Sequence, residues 1–219
     1  MSAPRIIVLT KEPTPGRVKT RLAPTLGAAG AARLHAALVD ATLDLALSTG
    51  LPVELCLAGD LGGAFAARAR RRGVAVREQV EGDLGARLTA ALAGPGRRVA
   101  LGTDCVTFEP SWLVQAVQRP EAALFGASND GGYWAACVEG TGGPSQTEQL
   151  FTDIPWSRPD TLDATLRAAA AAGIEVGPLP PCFDVDDAAD LRRLLADPRC
   201  PAAVRALGRE LSARPGSAG

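Results

Sequence analysis

Short apolar or β-branched runs alternate with alanine- and leucine-rich stretches along nearly the whole chain, and this alternation constrains the fold more than any other feature. Strands and helices that alternate in one chain bury their apolar sides together in an α/β sandwich, with helices against both faces of a mainly parallel sheet. Strands are expected at Arg5–Thr10, Pro52–Ala58, Val74–Glu78, Arg98–Gly102, Ala122–Ala127, Tyr133–Glu139 and Ile174–Gly177. Helices are expected at Ala28–Ser48, Leu61–Arg72, Asp83–Gly94, Pro110–Gln118, Pro159–Ala172, Asp187–Leu195 and Ala202–Ser212. The 219 residues suit a single core, placing one domain over residues 1–212 and a disordered Pro/Gly/Ser tail over 213–219. Sheets of this kind take ligands beyond the carboxyl ends of their strands, where the polar loops of this chain collect.

Composition excludes several function classes. With 47% hydrophobic and 21% charged residues the chain reads as globular, and a net charge of -1 gives it no global field for nucleic acid or anionic membranes. No apolar run reaches the roughly 18–20 residues of a membrane span, and Met1–Thr10 lacks the cleavage region of a signal peptide. A cytoplasmic protein without membrane insertion is expected. Cys56, Cys105, Cys137, Cys182 and Cys200 form no C-x-x-C pair and are expected as reduced thiols. The single histidine, His35, falls in a helical stretch and reads as a surface or packing residue, so a histidine metal site is excluded. Arg68, Arg70, Arg71 and Arg72 form the one basic run, at a helix end where positive charge suits the dipole.

The chemistry concentrates in a few loops. Of 23 basic residues only Lys11 and Lys19 are lysines, and both lie in K-E-P-T-P-G-R-V-K-T-R-L between residues 11 and 22. An ammonium is a compact point charge suited to phosphate oxygens, while Pro13, Pro15 and Gly16 restrict the loop that carries Lys19 and Arg21. Lys11, Pro15, Gly16 and Lys19 are therefore nucleotide-binding candidates, with Lys19 and Arg21 catalytic. The weaker G-D-L-G-A-R segment adds Gly82, Asp83, Gly85 and Arg87.

At the end of a hydrophobic strand, Gly102-Thr103-Asp104 puts a carboxylate beside the ligand crevice, where it serves either as a metal ligand or as a cap. Asp184, Asp186, Asp187 and Asp190 crowd the start of another helix, more carboxylates than a helix dipole requires. Since Mg²⁺ needs only one or two carboxylates besides substrate phosphates and water, Asp104 with Asp186 or Asp184 suffices for Mg²⁺ or Mn²⁺. Two aromatic-bearing loops read as substrate walls: Asp130, Gly131, Gly132 and Tyr133 in one, Trp156 and Ser157 in the other. Core packing of Tyr133 and Phe151 is the competing reading.

Taken in order, KEPTPGRVKTRLAP, EGDLGARL, GTDC, ASNDGGYW, LFTDIPWS and DVDDAADL resemble the bacterial selenodomain-associated transferases, a glycosyltransferase-A-like branch of the nucleotide-diphospho-sugar transferases. The resemblance spans about Arg5 to Leu195. It implies a Rossmann-like mixed sheet, a nucleotide in the crevice, a divalent metal, and transfer of a sugar from a nucleotide-diphospho-sugar to a small-molecule acceptor. A lower-specificity resemblance to phospholactate guanylyltransferase-type enzymes implies the alternative, nucleotidyl transfer from a nucleoside triphosphate to a phosphorylated or acidic small molecule with pyrophosphate release. A catalytically silent nucleotide-binding domain is the third reading. Departures from the family pattern at Val106, Ala127-Ser128-Asn129 and Arg158 lie in the loops assigned to substrate.

Overall fold

The computed structural model describes residues 3–141 and 145–213; most of the tail expected to be disordered, 214–219, lies outside the described residues. Seven strands form one sheet: β1 (Arg5–Lys11), β2 (Val53–Ala58), β3 (Ala75–Glu78), β4 (Pro95–Leu101), β5 (Ala123–Ala127), β6 (Tyr133–Thr141) and β7 (Val176–Leu179). Their order is β3-β2-β1-β4-β6-β5-β7. Every neighbouring pair is parallel except those made by β6, which runs antiparallel to both β4 and β5. This is the mixed, mainly parallel α/β sheet that the sequence implied. Because β6 is reversed, it starts at the edge where β5 ends, so the turn between them joins the ligand side of the sheet.

Among the described residues the helices are α1 (Ala23–Leu47), α2 (Ala64–Arg71), α3 (Leu84–Leu92), α4 (Pro110–Ala116), α5 (Ser145–Phe151), α6 (Thr161–Ala171), α7 (Ala188–Ala196) and α8 (Ala202–Ala213), preceded by a 3-10 turn at Thr20–Leu22. The period-two alternation of the strands divides them between two layers. Ile6, Val8, Leu55, Leu57, Val99 and Leu101 pack against Val39 and Leu43 of α1, Ala66 of α2 and Leu113 of α4. On the opposite face Ala100, Phe125, Ala136 and Val138 meet Leu88 and Leu92 of α3, Leu150 and Phe151 of α5, and Ala169 of α6.

Two elements differ from expectation. The α5 helix was not legible, because its seven residues carry no full apolar period; the burial of Leu150 and Phe151 anchors it. Strand β4 begins at Pro95, as pairing with β6 from Pro95↔Thr141 extends it backwards and proline is tolerated at a strand's first position.

After edge strand β7 the chain turns back along the carboxyl edge of the sheet. Cys182 N donates to Ala127 O at 3.0 Å and Val185 N to Asp104 O at 2.9 Å, so this segment passes the end of β5 and reaches the end of β4. Cys105 and Cys182 are joined there by a disulfide with a sequence separation of 77. This corrects the expectation that all five cysteines are thiols; Cys56, Cys137 and Cys200 are free and buried. Spacing in the sequence carried no trace of the return path that brings the two sulfurs together.

Candidate active site

Two adjoining cavities open at the carboxyl edge, sharing Leu9, Leu84, Gly102 and Asp104 on their common wall. The first, of about 430 Å³, lies beyond β1 and β4 and takes in Lys11, Arg17, Lys19, Arg21, Gln79, Arg87 and Asp186. The second, of about 330 Å³, lies over β6 and the start of α6, among Ser128, Asp130, Tyr133, Trp156, Arg158 and Asp184.

Lys19 occupies the centre of the first. Its side chain is only 5% exposed, and its ammonium lies 2.6 Å from Asp104 Oδ1 and 3.1 Å from Asp186 Oδ1. Burial acts against the charge, but Asp104, by attraction and hydrogen bonding, and then Asp186 outweigh it and hold the Lys19 pKa above the usual lysine value. The loop enforces this position: Lys19 sits in the left-handed region (φ 47°, ψ 44°), which costs a non-glycine residue of the order of 1 kcal/mol. Ser157, on the rim of the second cavity, has φ 59°. Among the described residues only Lys19, Asp153 and Ser157 are non-glycines with positive φ, so two of the three line the cavities. Arg21 is 77% exposed and reaches Asp186 Oδ2 at 3.8 Å.

Asp104 and Asp186 therefore converge, as expected, although β4 and β7 are not neighbours: the returning segment carries Asp186 across the edge. Asp184 points elsewhere. It pairs with the Ser128 hydroxyl and faces Asp130, and burial, reinforced by Asp130 and Asp104, pushes its carboxyl up to about 7. Among the described residues no group of three or more His, Cys, Asp or Glu side chains is gathered as a metal site. What the fold provides is a carboxylate pair aimed at one cationic point, a donor set that fits a divalent ion completing its shell with substrate phosphates and water. Asp190 is a structural carboxylate: it accepts from the backbone of Asp186 and Asp187 and closes a capping box at the start of α7.

Of the other nucleotide-binding candidates, Lys11 and Arg87 line the first cavity. The Arg87 Nε is buried without a partner, an unspent N–H donor beside the cleft. Pro15 and Gly16 are exposed and line neither cavity; they shape the loop. Asp83 caps α3 by accepting from Ala86 N at 2.9 Å, and Gly82 precedes it at φ 111°. Gly85 is buried away from the cleft: a Cβ there would stand 2.3 Å from Phe151 O and 3.1 Å from the Trp156 ring, so the glycine allows close packing. In the substrate turn, Asp130 Oδ1 accepts from Gly132 N at 2.9 Å. Gly131 has φ 85° and its absent Cβ would fall 1.9 Å from Pro159 O, while its own carbonyl accepts from Leu162 N at 2.9 Å, tying the turn to α6.

Sequence reasoning missed His35 and Gln79. His35 is buried beside the first cavity, its Nε2 3.0 Å from Lys11 O and 3.3 Å from Thr10 Oγ1, and burial keeps its pKa below the usual histidine value. Gln79 donates through Nε2 to Thr10 O and Cys56 O, both at 2.8 Å, which fixes its amide at the cleft wall. The tie from β3 to β1 and β2 is long-range, so neither the residue type nor its neighbours signalled it.

This architecture recurs in solved structures. A provisionally named nucleotide-diphospho-sugar transferase from Desulfovibrio desulfuricans G20 is 26% identical with a TM-score of 0.84, over 96% of this chain and 95% of that one. The inositol-1-phosphate CTP transferase from T. maritima (16% identical, TM-score 0.56, 95% and 96% covered) shares the fold. So does a Methanothermobacter nucleotidyl transferase (14%, TM-score 0.59, 89% and 96% covered). No curated protein matches the sequence. No helix among the described residues is long and apolar enough to cross a membrane. The family model described as an uncharacterized protein conserved in bacteria (DUF2064) matches residues 42–158, a stretch running from α1 through the loops that carry Tyr133 and Trp156, and the chain belongs to that family.

Proposed function

We propose that this chain is a nucleotide-utilising transferase whose first cavity takes the donor's phosphates and whose second takes the acceptor. The observation that carries this reading is the Lys19 ammonium, buried in the first cavity between Asp186 and Asp104, the latter on the wall common to the two cavities, where donor and acceptor can meet. The Desulfovibrio desulfuricans relative supports a nucleotide-diphospho-sugar as donor, making sugar transfer to a small molecule the first reading. In it, Lys19, Arg21 and Arg87 meet the diphosphate, and Lys19, held by its loop, stabilises the charge that grows on the leaving phosphate as the sugar departs. Asp104 and Asp186 would hold Mg²⁺ or Mn²⁺, which when bound supplies further neutralisation of the phosphates.

Nucleotidyl transfer is the second reading, favoured by the number of cationic groups at the first cavity: Lys11, Arg17, Lys19, Arg21 and Arg87 suit a triphosphate. The same Lys19 would then face the α-phosphoryl group as pyrophosphate leaves. One experiment separates the two readings. The protein is incubated with Mg²⁺ or Mn²⁺ and either nucleoside triphosphates or nucleotide sugars, across a panel of small-molecule acceptors. Acceptor-dependent release of a nucleoside diphosphate establishes sugar transfer, and pyrophosphate release establishes nucleotidyl transfer. Failure of Lys19→Ala to weaken nucleotide binding refutes the shared reading.

A further inference from the structure

The second cavity has a chemical bias of its own. Its polar wall is built from acceptors: Asp130 and Asp184 flank the Ser128 hydroxyl, which donates to Asp130 Oδ1 and also pairs with Asp184. The backbone N–H of Gly132, on the lining, is already spent on Asp130. Arg158 is the one cationic side chain on this lining; it is 65% exposed and its Nε is engaged by Asp160 at 3.1 Å. Ionised carboxylates only accept, so a molecule seated here must bring O–H or N–H donors. A phosphate or carboxylate brings none and meets the like charge of Asp130. On the other side Tyr133 and Trp156 stand edge to face with ring centroids 6.4 Å apart, offering an apolar flank. Acceptors and an apolar flank together match the O–H groups and C–H face of a saccharide or polyol. The volume of about 330 Å³ lies at the small end of ligand clefts.

We infer that the acceptor is an uncharged, hydroxyl-rich molecule of monosaccharide or polyol class, and that phosphorylated or carboxylated molecules are refused by the Asp130–Asp184 wall. This rests on the reading of the second cavity as the acceptor site. It also favours sugar transfer, because the nucleotidyl alternative calls for a phosphorylated or acidic acceptor.

The test uses the full chain with Mg²⁺ and a nucleotide at saturation. Saturation-transfer NMR measures binding of glucose, galactose, mannose, myo-inositol and glycerol, each beside its monophosphate ester. At least one uncharged probe should bind, with its ester at least about tenfold weaker, the size of one charge-assisted hydrogen bond lost. Asp130→Asn keeps the turn's acceptor and removes the charge; it should weaken the uncharged probe about tenfold and strengthen the ester. Trp156→Ala, which removes the apolar flank, should weaken the same probe several-fold without changing nucleotide affinity. Esters that bind as tightly as their parents, or a panel in which no uncharged probe binds, overturn the inference. Nucleotide titration of the same samples keeps the two failures apart. Absent nucleotide binding defeats the transferase reading, whereas intact nucleotide binding with a preference for esters defeats only the acceptor class.

Discussion

Breaking the Cys105–Cys182 bond should cost stability first and ligand binding second. The bond closes a loop with a sequence separation of 77, so in the chain-entropy picture its loss frees the unfolded state by about 4.5 kcal/mol at 25 °C. That is a large part of the 5–15 kcal/mol typical of a folded domain. With a urea m-value of about 3 kcal/mol/M, the unfolding midpoint should fall by about 1.5 M on reduction or in the Cys105→Ala/Cys182→Ala variant. Urea titrations of oxidised and dithiothreitol-treated protein, with thiols counted in denaturant, measure this directly. Oxidised protein should titrate as the three thiols Cys56, Cys137 and Cys200, and reduced protein as all five. Nucleotide affinity should also fall, since the bond lies next to Asp104 on one strand end and two residues before Asp184 on the returning segment. Equal midpoints in samples that differ by two thiols would refute the loop-closure argument, and five thiols in untreated protein would refute the bond.

Four further outcomes are expected. Lys19→Ala should lower turnover by about 10²–10³, and Lys19→Arg should not restore it, because a guanidinium fork does not fit the point between Asp104 and Asp186; steady-state kinetics with saturating donor decides this. Asp104→Asn and Asp186→Asn should each abolish the mutual enhancement of Mn²⁺ and nucleotide binding seen by calorimetry, whereas Asp190→Asn should cost about 1 kcal/mol of stability through its capping box and leave the enhancement intact. For Asp184, whose pKa rises on folding to about 7, the folded state keeps a proton that the unfolded state has already lost above pH 4. Stability in metal-free buffer should therefore fall between pH 4 and pH 7, by no more than about 4 kcal/mol, and Asp184→Asn should flatten that slope in urea titrations. Gly102→Val places its Cβ where no atom lies within 4 Å, on the wall common to both cavities; it should leave the unfolding midpoint unchanged while binding of nucleotide and acceptor both weaken.

Most strands and helices were legible because each carries its own period and its own punctuation. Arg5–Thr10 reads as a buried strand from its β-branched run, and most of α1 from the alanine- and leucine-rich, proline-free stretch Ala28–Ser48. The α5 helix was illegible because its stability comes from Leu150 and Phe151 reaching the core, a contact that no local pattern encodes. The loop that carries Lys19 to the cavity was legible for a chemical reason: the chain uses arginine almost everywhere and lysine only at positions 11 and 19. Gly82, Asp83 and Gly85 misled because a glycine or a cap has the same signature beside a ligand as inside a helix junction. Only the packing under Trp156 and the bond to Ala86 N assign Gly85 and Asp83 to structure.

The sequence by itself determined the α/β class, the family, and the residue types able to meet phosphate, because side-chain chemistry and short-range periodicity are properties of adjacent residues. The tertiary structure alone decided which carboxylates share a point. Asp186 meets Asp104 because the segment after β7 runs back across the sheet edge, while Asp184, two residues earlier in the same extended segment, faces Ser128 and Asp130. Residues two apart in extended chain share a face, so local pattern would send both carboxylates to one side; they diverge because the segment is tied to distant partners, Asp184 N to Asn129 Oδ1 and Val185 N to Asp104 O, both at 2.9 Å. The same path joins Cys105 to Cys182 and separates the cavity lined by Lys19, Arg21 and Arg87 from the one lined by Asp130 and Asp184, a division that arises only when distant loops are brought to one edge.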